Sequence, residues 1–368
     1  MTSLDDLAKH KLAALQTGSL LRTLPPPGRT AINFCSNDYL GLAHDPRLKA
    51  AAAAALEHGA GAGSSRLVTG NHALYGELET KIAALKGTDA ALVFGSGYLA
   101  NLGAVPALVG PGDLILADDL SHACMVSGAR LSGATVHVFR HNDVEHLRTL
   151  FDVLRPAAAH CLVLTEGVFS MDGDLSPLPD IIAAARDNEA WVMTDDAHGL
   201  GVVGEGRGSA AHWNVRPDMQ MGTLSKSVGS YGGYVAASRP VIDLLINRAR
   251  SLIYATGLPP SVVAASIAGL DIIASDPALC ARPLALARLF AKRANLPAPQ
   301  SAIVPVILGD PNVALEASAA LEKQGFLVTA IRPPTVPAGT SRLRITFSAA
   351  HREADVIRLA DAARPLVR

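Results

Sequence analysis

The sequence predicts an α/β protein: a mostly parallel seven-stranded sheet flanked by helices, a smaller C-terminal α+β domain and a short N-terminal segment. Two observations carry that prediction. Short apolar runs of roughly five residues recur between positions 90 and 237, with helical patterns separating most of them. The composition is 49% hydrophobic but only 4% aromatic, and rich in alanine and glycine, which suits helices packed closely around a sheet.

Leu4, Leu7, Leu12 and Leu15 recur at helical spacing and predict an amphipathic helix over 4–15. Prolines at 25–27 make 18–30 a linker. A short strand is expected at 32–35 and a turn at 36–41. Asp45 caps a helix with Pro46 at its first position, running through the alanine block to position 58. The glycine- and serine-rich stretch 59–70 reads as a loop, and 74–86 as a helix. Strands at 90–94, 113–117, 135–139, 161–165, 190–194, 219–223 and 233–237 follow, with helices at 98–109, 122–132, 144–154 and 179–187 among them. Two helical stretches after Pro240, one ending near 250 and one over 260–273, lead out of the sheet. Beyond them, strands at 301–308, 325–331 and 342–347 alternate with helices at 313–324 and 353–363. The expected units are 1–44, 45–265 and 266–368.

Composition excludes several functions. A formal net charge of −1 argues against nucleic acid or an anionic membrane as the main partner. The four cysteines (Cys35, Cys124, Cys161, Cys280) are scattered without metal spacing and read as buried thiols in a reducing compartment. Asp5 and Asp6 precede any apolar run, unlike a signal peptide. The best apolar stretch, 258–274, is broken by Pro259, Pro260 and Asp271. A cytoplasmic protein is expected, with no metal.

Active sites of such sheets collect at the carboxyl ends of the strands. The first strand end, Phe94-Gly-Ser-Gly-Tyr-Leu-Ala100, is a Gly-x-Gly turn entering a helix, suited to a phosphate. It also satisfies G-x-G-x-x-A, with Asp118 closing the next strand, which keeps a nicotinamide-dependent oxidoreductase open as an alternative. His122 could cap a helix or lie over a ring, and Ser170 offers a hydroxyl on a loop. Asp195-Asp-Ala-His198 supports three possibilities: metal ligands lacking a third partner, a self-satisfied polar cluster, or an acid for a pyridinium nitrogen beside an imidazole for a neighbouring oxygen. The following strand delivers Lys226. Of the eight lysines, seven (Lys9, Lys11, Lys49, Lys81, Lys86, Lys292, Lys323) sit in amphipathic helical segments, where a solvated ammonium is the ordinary outcome. Lys226 instead stands among hydroxyls and glycines, where a desolvated amine can form a Schiff base. A phosphate cradle, a ring-nitrogen acid and a Schiff-base lysine are what pyridoxal phosphate needs, and they occur here in that chain order. A dinucleotide would use the first alone.

With those residues in hand, the chain resembles the α-oxoamine synthase family of fold-type I pyridoxal-phosphate enzymes. The matching stretches are Ser36-Asn-Asp-Tyr-Leu-Gly41, Gly61-Ala-Gly-Ser-Ser-Arg66, Thr165-Glu-Gly-Val-Phe-Ser-Met-Asp-Gly173, Asp195-Asp-Ala-His-Gly199, Thr223-Leu-Ser-Lys226 and Leu343-Arg-Ile-Thr346, and they span almost the whole chain. The resemblance implies Lys226, His122 and Asp195 as catalytic groups: Lys226 the Schiff-base lysine, Asp195 on the pyridine nitrogen, His122 stacked on the ring. It implies His198 and Ser170 on the phenolic oxygen, and Gly97, Tyr98 and Thr223 on the phosphate. Arg344 with Asn37 would receive the amino acid carboxylate, Thr335 would contact the acyl substrate, and Arg22 matches a substrate-binding arginine. Arg332-Pro-Pro-Thr-Val-Pro337 is typical of the biotin-pathway branch, which condenses L-alanine with a pimeloyl thioester carried on coenzyme A or a carrier protein. Sibling branches use glycine or serine with another acyl thioester, and a non-catalytic scaffold could keep the same fold. A homodimer is implied as well, its 61–65 loop reaching the partner's cofactor. Tyr75 stands where the family often has histidine, which puts local interface contacts in question, and 229–233 is a turn with no assigned role.

Overall fold

The computed structural model describes residues 2–18, 20–24, 28 and 30–367. The prolines at 25–27 lie outside these, so the linker expected there rests on sequence alone.

After a short β1 (Ile32–Asn33), the seven expected strands form one sheet: β2 (Ala90–Phe94), β3 (Leu114–Asp118), β4 (Thr135–Phe139), β5 (Cys161–Glu166), β6 (Trp191–Asp195), β7 (Met219–Thr223) and β8 (Gly233–Ala237). Their spatial order is β2-β8-β7-β6-β5-β3-β4. β8 runs antiparallel to both its neighbours and every other pairing is parallel. Alternate residues enter different cores: Leu162 and Leu164 pack with Phe94 and Met221 on one face, Cys161 and Val163 with Phe151 and Ile181 on the other. That two-sided burial is why the runs are apolar throughout rather than alternating. From β3 the chain moves outward to β4, then returns to place β5, β6 and β7 on the opposite side. The reversal between β3 and β5 opens a crevice at their carboxyl ends, where open α/β sheets hold ligands.

The C-terminal unit has an antiparallel sheet of β9 (Ile303–Gly309), β12 (Ser341–Thr346) and β11 (Thr329–Ile331), in the order β11-β12-β9. The single strand expected over 325–331 is two. Its first part, β10 (Phe326–Leu327), pairs with β1 instead, so the chain changes sheets at Val328. Phe34 accordingly packs in the C-terminal core with Phe326 and Phe347.

The helix Pro277–Ala294 has no counterpart in the sequence expectation. Pro283 inside it counts against a helix locally, but Asp276 caps its start and Asn295, in the left-handed region, ends it. The helix Pro260–Ser275 runs unbroken across the expected boundary at 265/266, and Val263, Leu270 and Ile273 pack with Tyr75 and Leu78 of the large unit. Passage to the C-terminal core occurs farther on, between Cys280 and Leu286. The N-terminal helix Leu4–Thr17 is capped by Ser3 and buries no residue against this chain. Cys124, Cys161 and Cys280 are buried, Cys35 is half-buried, and all four are free thiols. No single helix among the described residues is long and apolar enough to cross a membrane.

Candidate active site

Four strand ends meet at the crevice: β3 leading to His122, β5 ending in Glu166, β6 in Asp195 and β7 in Thr223. The Asp195–Asp196 pair resolves into two different jobs. Asp195 is buried, its Oδ2 accepting from Asn101 Nδ2 at 2.8 Å and its Oδ1 from the Ala197 N–H at 3.0 Å. Asp196 is fully engaged elsewhere. It pairs with Lys86 Nζ at 2.6 Å and accepts the Ser209 N–H at 3.1 and 3.2 Å. This corrects the expectation for Lys86: its side chain is 1% exposed, and the ammonium of an apparently amphipathic helix is a core ion pair.

Lys226 Nζ lies 2.7 Å from His198 Nε2, and the other ring nitrogen of His198 lies 2.6 Å from the Tyr39 hydroxyl. Tyr39 in turn touches Asn37 Oδ1 at 3.2 Å, and Arg344 donates to Asn37 at 3.0 Å and to the Ser170 carbonyl at 2.6 Å. One hydrogen-bonded chain thus joins the lysine to the buried arginine. Burial lowers the Lys226 pKa to about 8, against the opposing pull of Asp195. Burial, reinforced by the Lys226 and Arg344 charges, holds His198 well below the usual imidazole range, so it is neutral. His122 is also lowered by burial, although Asp195 pulls the other way. Its Nδ1 accepts the Cys124 N–H at 3.2 Å, which leaves the proton of the neutral ring on Nε2.

Ser96 caps the helix Gly97–Leu108 by accepting the Leu99 N–H at 3.2 Å, leaving the Gly97 and Tyr98 N–H groups for an anion. The Thr223 hydroxyl adjoins them: a Cβ on Gly97 would stand 3.4 Å from Thr223 Cβ. Thr223 Oγ1 donates to the Gly232 carbonyl at 2.8 Å and lies 2.7 Å from Ser225 Oγ. The 229–233 turn now has a role. A Cβ on Gly233 would come within 2.3 Å of the Gly97 nitrogen, so only glycine lets β8 pass beneath the anion cradle. The Tyr98 side chain itself is 48% exposed.

Two residues singled out from sequence lie apart. Arg22 donates to Thr335 Oγ1 at 3.3 Å, and both line a cavity of ≈ 690 Å³ with Leu20, Leu21 and Ile331, a ligand-sized space. The 61–65 loop is tied to its own chain through the Gly257 N–H on the Ser64 carbonyl at 2.9 Å, while Gly61 and Gly63 face open space. Tyr75 belongs to the core rather than to a surface contact: it is 1% exposed, lies under the Arg66 guanidinium at 3.9 Å, and its hydroxyl accepts the Leu258 N–H. Sequence reasoning missed Asn101, Tyr39 and Glu166, all of which hold site residues. For Asn101 a signal existed, since it follows Gly97 by one helical turn and shares its face.

The dinucleotide alternative fails on Asp118. Its Oδ1 accepts from the Leu120 N–H and from His141 Nδ1, each at 2.9 Å, its Oδ2 accepts the Asn142 N–H at 2.8 Å, and its side chain is 0% exposed. Buried and turned onto its own chain, this carboxylate is out of reach of a ribose. No group of three or more potential metal ligands gathers among the described residues.

A helix start with free N–H groups, a hydroxyl beside it, a buried carboxylate held by fixed donors and a lysine of lowered pKa fit pyridoxal phosphate. Comparison with known proteins agrees. Residues 29–362 match the Aminotransferase class I and II family. The chain is 57% identical to the 8-amino-7-oxononanoate synthase of Maricaulis maris, over 97% of this chain and 95% of that protein. The chain belongs to the 8-amino-7-oxononanoate synthase family. Among solved structures, a serine palmitoyltransferase from S. paucimobilis with bound PLP–myriocin superposes with a TM-score of 0.90 at 31% identity, covering 98% of each chain. The 8-amino-7-oxononanoate synthase of Francisella tularensis superposes with a TM-score of 0.78 at 25% identity, covering 92% of this chain and 98% of that one.

Proposed function

We infer that the protein is a pyridoxal-phosphate-dependent acyltransferase of biotin biosynthesis. It condenses L-alanine with a pimeloyl thioester of coenzyme A or an acyl-carrier protein, releasing 8-amino-7-oxononanoate, CO2 and the free thiol. The observation that carries this is the near full-length identity of 57% to a synthase of that name.

When bound, pyridoxal phosphate supplies a sink for the electrons left at the amino acid Cα as its proton departs. Residues of the chain do the rest. The Gly97 and Tyr98 N–H groups and the Thr223 hydroxyl would hold the phosphate, and Asp195, kept in place by Asn101, would pair with the ring nitrogen. His198 and Ser170 would meet the phenolic oxygen, and His122 would lie over the ring. Lys226 would anchor the cofactor covalently and, once released, would take the Cα proton on Nζ. A pKa of about 8 leaves that amine able to accept and return a proton near neutrality. Arg344 and Asn37 receive the alanine carboxylate, while Arg22 and Thr335 line the cavity for the acyl chain. Exposed Leu67, Val68 and Tyr98 support a homodimer in which the 61–65 loop reaches the partner's site, and the cytoplasm is the compartment we assign.

The likeness to serine palmitoyltransferase favours one second reading, a sibling synthase with another amino acid and acyl group. Thiol release measured with alanine, glycine and serine against pimeloyl- and palmitoyl-CoA decides between them. Turnover with alanine and pimeloyl-CoA alone is expected; a preference for serine and palmitoyl-CoA overturns the assignment.

A further inference from the structure

Glu166 ends β5 at the crevice, and its Cα partner on β6 is Asp195. Registered neighbours on adjacent strands project to the same face, so the two carboxyls lie side by side beneath the site. Both are buried, at 2% and 5% exposure. Two adjacent buried carboxyls cannot both ionise cheaply, and hydrogen bonding decides which keeps its charge. Asp195 accepts from Asn101 on one oxygen and from the Ala197 N–H on the other. Glu166 Oε2 accepts the Ser170 N–H at 3.1 Å, while its Oε1 is buried with no hydrogen-bond partner among the described residues. A bare carboxylate oxygen in that position is costly, and protonation removes the charge that makes it so.

We propose that Glu166 carries its proton on Oε1 and acts, as an uncharged acid, as a positioning residue for the cofactor site. Its Oε2 fixes the loop that presents Ser170, and the His122 peptide N–H faces the same carboxyl group. The pair therefore holds one negative charge, on Asp195, where the ring nitrogen needs it. Burial acts in the same direction, raising Glu166 well above the usual carboxylate range. A neutral Glu166 also spares Lys226 a second anion, which would raise the basicity of the amine. This rests on the pyridoxal-phosphate reading above, but on neither the acyl group nor the amino acid used.

The test compares the holoenzyme with Glu166→Gln and Glu166→Ala. In infrared spectra, the carbonyl stretch of a protonated buried carboxylic acid is expected in the wild type and absent from E166Q. Because the amide is also neutral, can accept the Ser170 N–H and can donate, E166Q should bind pyridoxal phosphate within about three-fold of the wild type, and E166A at least ten-fold more weakly. The midpoint pH of covalent cofactor capture by Lys226 should not move in E166Q. If Glu166 is ionised, removing its charge lowers that midpoint by about one unit or more. Such a shift, a missing band, a band that survives in E166Q, or cofactor loss in E166Q equal to that in E166A each overturns the proposal. Should E166Q fail to fold, 13C labelling of glutamate carboxyls in the wild type shows by the band's isotope shift whether a glutamate carries the proton. None of these measurements needs an acyl substrate, so failure here is separate from failure of the assigned reaction.

Discussion

Lys226 Nζ and His198 Nε2 stand 2.7 Å apart, with the imidazole held from behind by Tyr39. The histidine is neutral and brings no negative charge to offset the desolvation of the amine, and the lysine pKa settles at about 8. Only the unprotonated amine attacks the cofactor aldehyde. The rate of covalent capture by cofactor-free protein should therefore climb with pH, pass half-maximum near 8 and level off above it. An ordinary lysine would keep climbing towards its usual 10.5. Stopped-flow absorbance across that range checks this, and K226A should show no borohydride-trapped cofactor and no turnover.

Lys86 and Asp196 form a fully desolvated ion pair, at 1% and 0% side-chain exposure. Removing one partner strands the other charge in the core. K86M should cost about 3–5 kcal/mol in denaturant unfolding. A loss below about 1 kcal/mol would mean that Asp196 is satisfied without the lysine.

Gly233 lies where β8 crosses the start of the helix Gly97–Leu108, and an added Cβ would come within 2.3 Å of the Gly97 nitrogen. G233A should fold but bind pyridoxal phosphate at least ten-fold more weakly, read by equilibrium dialysis. Gly76, in the helix Leu74–Lys86, has nothing within 4 Å of such a Cβ, so G76A should leave cofactor affinity alone and gain roughly 0.5–1 kcal/mol in stability.

His141 bridges Asp118 and Asp174, with 2.9 Å on each side. Burial lowers its pKa, but the two carboxylates outweigh that and bring it to about 10, from 6.5. A raised folded-state pKa stabilises most below the unfolded value and loses its contribution as pH rises through the folded one. Wild-type stability should therefore decline between pH 6.5 and 10 more steeply than that of H141N. Parallel curves for the two proteins in thermal unfolding would show that the imidazolium adds nothing.

Much of the site was legible because its chemistry is local. The glycine turn after β2, the acid–histidine segment after β6 and the lysine after β7 each declare themselves within a few residues, and each sits at a strand end that periodicity locates. The place of Asn101 one turn after Gly97 was visible, but its contact, like that of Tyr39, was not legible. Each acts on a group far along the chain, 94 residues away for Asn101 and 159 for Tyr39, and no local pattern marks such a contact. Lys86 was misread for the same reason: helix periodicity says which face is polar, not whether a buried carboxylate waits opposite it. Pro283 hid a helix because proline weighs against helix locally, whereas packing of Leu286 and Phe290 into the C-terminal core supports it.

By itself the sequence determined the seven central strands, the cofactor chemistry and its chain order, since these follow from residue type, apolar runs and spacing. Only the tertiary structure decided that Asp196 is taken up by Lys86, that Gly233 makes room for the anion cradle, and that Glu166 sits beside Asp195. The reason is the strand order: β5 and β6 are adjacent in register, and β8 inserts between β2 and β7. Which strand ends become neighbours is settled by how the chain packs its apolar faces together, and no single segment contains that information.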